Sequence, residues 1–456
     1  VAKRPETVFS CSACGAQSPR WIGRCPECGG WNTLAEERGA VRAERPVPGG
    51  PAAAVPRALA DLEADELPRV PTGLSDFDRV LGGGLVPGSV VLLGGEPGIG
   101  KSTLLLQVAA RLAAKGRSVL YVSAEESARQ VKLRADRLGA SGSGVSVLAE
   151  TSLERILEAA SRGRFDLLVV DSIQTIAAED PAGARGSVSQ VRECAARLAV
   201  FAKTNDVPVL LIGHVTKDGS LAGPKTLEHL VDTVLSFEGE RFHAHRAVRA
   251  MKNRFGPVHE LGLYEMTSAG LVEIASPSLL TLGSGTVPRP GSAVLAAVSG
   301  TRPLLIEVQA LTVEARFGSP RRTAIGFDAT RLALLLAVLE RHGGLALSSQ
   351  DVFLNLAGGA TSEEPAADLA VAAAVASSLE ARAWPARTVF FGEIGLLGEV
   401  RAVTDAERRL REAVTMGFHT AVLPSGNAAE AAGFPDLAVT PISGVDELVG
   451  RLPRPD

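Results

Sequence analysis

Residues 95–102 read Gly-Glu-Pro-Gly-Ile-Gly-Lys-Ser, a GxxxxGK[ST] pattern with Thr103 behind it. A glycine-rich turn of this type lets successive backbone N–H groups close around phosphate oxygens. Its lysine reaches the β- and γ-phosphates, and its hydroxyl meets Mg2+. Gly95, Glu96, Pro97, Gly98, Ile99, Gly100, Lys101, Ser102 and Thr103 are therefore the candidate ATP cradle, with Lys101 the catalytic cation and Ser102 a Mg2+ ligand. Leu167–Asp171 is an apolar run ending in a carboxylate, which makes Asp171 the second Mg2+ candidate, acting through water. Tyr121-Val-Ser-Ala-Glu125-Glu126 offers a carboxylate that can polarise an attacking water; Glu125 is the first choice and Glu126 the second, with a solvated acidic turn as the plain alternative.

Four of the five cysteines lie in the first 28 residues, as Cys11-x2-Cys14 and Cys25-x2-Cys28. Two such pairs place four thiolates around one Zn2+ as a closed, structural site. Disulfides or a redox pair are the alternatives, and a reducing compartment disfavours both. Trp21 and Trp31 flank the second pair. Packing of the ribbon is their favoured role, with stacking on a nucleotide base as the alternative. Cys194 falls in a helical stretch, Val188–Ala202, and reads as a small buried hydrophobe.

These residues need elements to hold them. Apolar runs at Val90–Gly94, Ser118–Ser123, Leu167–Asp171 and Val207–Gly213 alternate with helical stretches such as Ser102–Lys115, the pattern of an α/β domain with a mainly parallel sheet. The predicted organisation is a zinc ribbon over 1–35, a flexible Ala/Pro/Arg/Gly-rich linker over 36–58, an ATPase domain over 59–275 and a second α/β domain over 276–456. Within the last, Thr301–Thr312 and Arg387–Phe391 read as strands and the alanine-rich Ala366–Arg382 as a helix. Lys+Arg 47 against Asp+Glu 51 leaves a net charge of -4, which excludes a bulk-basic nucleic-acid binder and leaves only local patches. No apolar run reaches the ~18 residues needed to cross a bilayer, and Val1–Ser10 carries no apolar signal core, so a cytoplasmic protein without a membrane partner is expected.

The order P-loop, strand, Glu, strand, Asp is that of RecA-like ATPases rather than small GTPases, and no guanine-reading NKxD is evident. Taken with the four-cysteine ribbon, several runs carry a wider resemblance: 94–103 (GGEPGIGKST), 121–127 (YVSAEES), 170–175 (VDSIQT) and 213–217 (GHVTK). With Lys252-Asn253-Arg254-Phe255-Gly256, a five-residue signature, the chain resembles the bacterial RadA (Sms) family of DNA repair proteins. Its C-terminal third is similar to the peptidase domain of Lon.

The resemblance implies a RecA-like P-loop ATPase core between a zinc ribbon and a Lon-protease-like α/β domain. It implies an ATP-driven motor on single-stranded and branched DNA, a homo-hexameric ring, and branch migration in homologous recombination together with RecA. In such a ring Lys252 and Arg254 meet transition-state charge at a neighbour's site, with a DNA phosphate contact or plain surface charge as the alternatives. Asn253 and Phe255 position their loop. His214, after the strand Val209–Gly213, is a γ-phosphate sensor or a hydrogen-bonded sheet-edge histidine. Arg185, Lys217 and Lys225 sit in polar segments, Ala178–Gln190 and Lys217–Lys225, that would face DNA in the channel or be ordinary solvated loops.

In the Lon-like tail the nucleophile position carries Ala366 and the lysine position Glu407, so peptidase activity is not expected. Arg401, Arg408, Arg409 and Arg411 are a basic cluster for DNA or a solvated helix face. The competing overall reading is a RecA-fold regulatory ATPase or kinase-like switch without motor activity.

Overall fold

The structure, a computed structural model, describes residues 7–11, 17–27, 29–38, 68–140, 142, 144–179, 186–214, 227–239, 245–258, 260–282, 288–315 and 319–453. The chain divides into two compact units, Val1–Ile274 and Ala275–Asp456. Among the described residues no helix is long and apolar enough to cross a membrane.

The ribbon is a three-stranded antiparallel sheet in which β1 (Thr7–Cys11) lies between β2 (Gln17–Ser18) and β3 (Leu34–Arg38). After a short helix, α1 (Ser75–Leu81), come β4 (Val90–Gly95), α2 (Lys101–Ala114), β5 (Val119–Ser123), α3 (Ala128–Arg137) and β6 (Ser146–Ala149). They are followed by α4 (Leu153–Gly163), β7 (Leu167–Asp171), α5 (Val188–Asn205) and β8 (Val209–His214). β9 (Thr233–Glu238), β10 (His245–Asn253), β11 (Leu261–Thr267) and β12 (Gly270–Glu273) complete a nine-stranded sheet ordered β12-β11-β10-β9-β4-β8-β7-β5-β6.

The strands from β9 to β6 are parallel, and β10 to β12 extend them antiparallel. β4, β5 and β7 are buried along their whole length, which is why they read as unbroken apolar runs rather than as alternation. Successive residues serve opposite faces. Val91, Leu93, Tyr121 and Val169 pack in the core with α2, while Leu92, Val122, Leu168 and Val170 join the core with α4 and α5. Serine caps start three of the helices: Ser127 with Gln130 in a capping box, Ser152, and Ser187.

The second unit holds a seven-stranded sheet built on a long hairpin, β13 (Ser292–Ser299) with β14 (Arg302–Glu314). β15 (Arg322–Ile325) and β16 (Gln350–Leu356) extend one side; β17 (Thr388–Phe390), β20 (Thr420–Pro424) and β21 (Ala438–Ile442) extend the other. β18 (Glu393–Ile394) and β19 (Val400–Arg401) form a separate small hairpin. The alanine-rich segment is a 3-10 turn, Pro365–Ala367, leading into a helix, Asp368–Leu379, that is buried from Asp368 to Ser377. Small side chains allow it to be covered on nearly every side.

Cys194 is fully buried on α5, and burial pushes its thiol up to about 11. At pH 8 only about one molecule in a thousand is then the thiolate. Iodoacetamide at that pH is expected to leave Cys194 unmodified in the folded protein and to label it after denaturation, as read by peptide mass. Labelling without unfolding would refute the burial.

Candidate functional site

Four parallel strands deliver their last residues to one edge of the sheet. β4 runs into the P-loop, β5 into Ala124 and Glu125, β7 ends at Asp171 and β8 at His214. Pairing sets them level, with Gly95 opposite His214 and Ser123 opposite Asp171, and the Ala124 N–H donates to the Asp171 carbonyl at 2.7 Å. A crevice at the carboxyl ends of parallel strands is where this class of sheet binds its ligands.

The loop has the backbone its pattern demands. Gly98 and Gly100 have φ of +81° and +118°, and a Cβ on Gly95 would stand 2.6 Å from the Phe237 carbonyl oxygen. Ile99 is buried and anchors the loop, while Glu96, Pro97 and Gly98 face solvent. Ser102 and Thr103 lie in the first turn of α2, half-buried. Lys101 opens that helix at 4% exposure, and its Nζ donates to the carbonyls of Gly95 (2.7 Å) and Glu96 (2.8 Å). Burial pulls its pKa down to about 8, against the opposing charges of Asp171, Glu125 and Glu96. The cation and the carboxylates expected from sequence therefore share one site.

Asp171 is buried, and its Oδ2 accepts a hydrogen bond from the Tyr121 hydroxyl at 2.7 Å. Burial and then the Asp171 charge push Tyr121 well above its ordinary pKa, so it stays a donor. Glu125 and Glu126, the first and second choices from sequence, are separated by their partners. Arg134 on α3 holds the Glu126 carboxylate at 2.5 Å. Glu125 instead meets the Ser172 hydroxyl, next to Asp171. Buried carboxylate, buried cation and left-handed glycines fit a magnesium–triphosphate ligand held by Lys101, Ser102 and Asp171.

The Lys252–Gly256 run lies elsewhere. Asn253 pairs with Thr233, which pairs with Val91 of β4. From Val91 to Gly95 is about 13 Å at ~3.3 Å per residue, so the signature sits toward the far end of the sheet from its own P-loop. Lys252 donates to the carbonyls of Glu228 and Val231 (the latter 2.8 Å); burial, then Arg254, lower its pKa. Arg254 is half exposed and pairs with Asp232 at 3.4 Å. Asn253 is a bracket: its Oδ1 accepts from Thr233 (3.2 Å) and the Phe255 N–H (2.9 Å), and its Nδ2 donates to the Val80 carbonyl. The Phe255 carbonyl is held by Arg69. Gly256 passes Gly82 so closely that a Cβ would fall 2.9 Å from the Gly82 Cα.

In the ribbon, Cys11 and Cys25 are each 2% exposed in one cluster, and they are not disulfide-bonded to each other. Cys25 closes a tight turn with the Gly29 N–H on its carbonyl at 2.9 Å. Two buried thiols, one on such a turn, fit zinc; Cys14 and Cys28 lie outside the described residues. So do Arg185, Lys217 and Lys225. Contrary to the favoured expectation, Trp21 and Trp31 do not pack the ribbon: they are 54% and 71% exposed.

In the second unit Ala366 is buried, and Glu407 is paired with Arg411 on its own helix. The basic cluster is not a single surface. Arg409 is buried, bound to Glu364 at 2.7 Å and to the Ala296 carbonyl at 2.7 Å. Arg401 and Arg408 pair with Glu399 and Asp405.

Family models match three stretches: an AAA domain over residues 60–220, a rubredoxin metal binding domain over 9–36, and subunit ChlI of Mg-chelatase over 321–427. The DNA repair protein RadA of Bacillus subtilis strain 168 is 49% identical over 433 residues, 93% of each chain. The chain belongs to the RadA family of DNA repair proteins. RadA of Streptococcus pyogenes serotype M1 is 49% identical over 99% of this chain and 100% of its own, and RadA of Escherichia coli K12 is 48% identical over 94% of both. As a RadA family member the chain is a RecA-like ATP hydrolase using ATP and Mg2+, with a zinc ribbon before the core and a Lon-like α/β unit after it.

Sequence reasoning missed Tyr121, which counted as one more apolar strand residue, and Arg246, whose Nε donates to the Ile99 carbonyl of the P-loop at 3.2 Å. Only the strand register reveals either. Glu125→Gln is expected to lower kcat by about 100-fold or more with MgATP affinity little changed. Glu126→Gln should leave kcat within about threefold and lose only a half-exposed ion pair worth ~1 kcal/mol or less. Steady-state turnover with a nucleotide-binding titration distinguishes them; the reverse ranking would reassign the base.

Proposed function

We propose that the chain is a DNA-dependent ATPase acting as a ring-shaped motor on single-stranded DNA. It promotes branch migration and the processing of recombination intermediates together with RecA. The observation that supports this reading most is the distance between the Lys252–Gly256 run and the P-loop of the same copy. A copy cannot turn that edge onto its own nucleotide, whereas a neighbour in a head-to-tail assembly can, and repetition of one such contact closes a ring. Arg254 is the better placed of the two cations, because Lys252 is committed to carbonyls of its own chain. A homo-hexamer is the number carried from the family resemblance. The segments holding Arg185, Lys217 and Lys225 follow β7 and β8 in the chain, where copies around a ring would turn them to a shared channel.

In this mechanism Lys101 exchanges the Gly95 and Glu96 carbonyls for phosphate oxygens. Ser102 and Asp171, the latter steadied by Tyr121, hold Mg2+, which neutralises charge on the phosphates when bound. Glu125 takes the proton of the attacking water. His214, at the end of β8 beside the start of the loop, senses the γ-phosphate and passes the change to the residues after it. The C-terminal unit has no peptidase role, since Ala366 offers no hydroxyl and Glu407 no amine; it serves assembly.

ATP turnover should rise on adding single-stranded DNA. Lys101→Ala and Arg254→Ala should each be inactive alone, and a mixture of the two should regain activity, because some interfaces then join an intact P-loop to an intact arginine. No recovery on mixing would refute the action between copies. Turnover indifferent to DNA would favour a regulatory switch.

A further inference from the structure

The ribbon leaves its own tryptophans uncovered. Its described core is Cys11, Cys25 and Leu34, with Phe9 and Ile22 packed against them. Trp21 and Trp31 project instead around a common glycine. A Cβ on Gly23 would lie 3.8 Å from Trp21 Cη2 and 4.0 Å from Trp31 Cζ3, so the ring edges stand within about 8 Å of each other over a floor without a side chain. Both rings thus border the space over Gly23. Its walls are fixed by the backbone: the Asn32 N–H donates to the Gly23 carbonyl at 2.8 Å, and Arg24 forms an antiparallel bridge with Trp31.

Charge lies beside the rings. The Arg24 guanidinium carbon is 5.8 Å from the Trp31 ring centroid, and its Nε donates to the Gly29 carbonyl at 3.1 Å. Arg20, next to Trp21, is exposed. From Gln17 to Thr33 the one acidic residue is Glu27, against these two arginines. Exposed aromatic faces interleaved with guanidinium groups suit the bases and phosphates of a nucleic-acid strand.

We propose that Trp21, Trp31, Arg20 and Arg24 form a stacking site for bases of single-stranded DNA, separate from the loops of the ATPase core. This rests on the reading that the protein engages single-stranded DNA, and the test separates the two. The chain has three tryptophans, and the third, Trp384, is buried with its Nε1 bonded to the Ala373 carbonyl at 2.9 Å. Trp384 contributes a shielded background, and a change of emission on adding a strand reports on the two exposed tryptophans of the ribbon.

Full-length, zinc-loaded protein is titrated with oligothymidylate. Anisotropy of a labelled strand reads binding, and tryptophan emission with an unlabelled strand reads stacking. Quenching along the same isotherm is expected. Trp21→Ala and Trp31→Ala should each weaken binding about tenfold with zinc content unchanged, and Trp31→Phe should recover most of the loss. Binding by anisotropy with unmoved emission would overturn the proposal and leave the DNA reading standing. No binding by either readout would sink the DNA reading and this site with it. Emission that moves on adding a RecA-type recombinase but not DNA would make the patch a protein-docking surface. If the alanine variants lose zinc, quenching in the unsubstituted protein decides.

Discussion

Lys101 carries a positive charge to a position with 4% exposure, where two loop carbonyls and the charges of Asp171, Glu125 and Glu96 compensate for the water it has left. Everything else at the nucleotide edge is arranged around that cation. Strand β4 must be buried on both faces to carry the loop there, and the Gly98 and Gly100 conformations turn the chain tightly enough for the lysine side chain to fold back. β5 and β7 must end level with each other to bring the carboxylates near. A one-residue slip of β7 would send Asp171 to the other face of the sheet. The hydrogen bond from Tyr121 ties that register to a side chain.

What could be read in advance divides by range. The P-loop and the strand ending at Asp171 are local patterns, and β4, α2, β5 and β7 fall within a residue or so of where periodicity puts them. What separates Glu125 from Glu126 is Arg134, which pairs with Glu126 from eight residues along, so neighbouring sequence could favour one but not decide. Tyr121 and Arg246 become site residues only through strand order. Arg409 misleads for a related reason. Beside Arg408 and Arg411 it looks like one more surface charge, yet the helix turns it inward to Glu364 and the Ala296 carbonyl. Trp21 and Trp31 mislead by size: among the described residues the ribbon core is five side chains, and the two indoles stay exposed.

The Lon-like unit replaces chemistry with internal pairing. Around Ala366, Arg331 grips the fully buried Asp368 with two hydrogen bonds of 2.5 Å, and Ile394 donates a third at 3.0 Å. Burial still raises the Asp368 pKa despite these donors, which marks the pair as costly to desolvate and suited to fixing one packing arrangement more than to adding net stability.

Gly82 and Gly256 lie 174 positions apart, and neither has room for a methyl group, because each would drive it into the other's main chain. The last letter of the Lys252–Gly256 run is thus dictated by a turn near the beginning of the ATPase domain as much as by the run itself. Any redesign that swaps the signature into another scaffold must transplant both glycines as a matched set, or the arginine two residues earlier will be aimed at the wrong place.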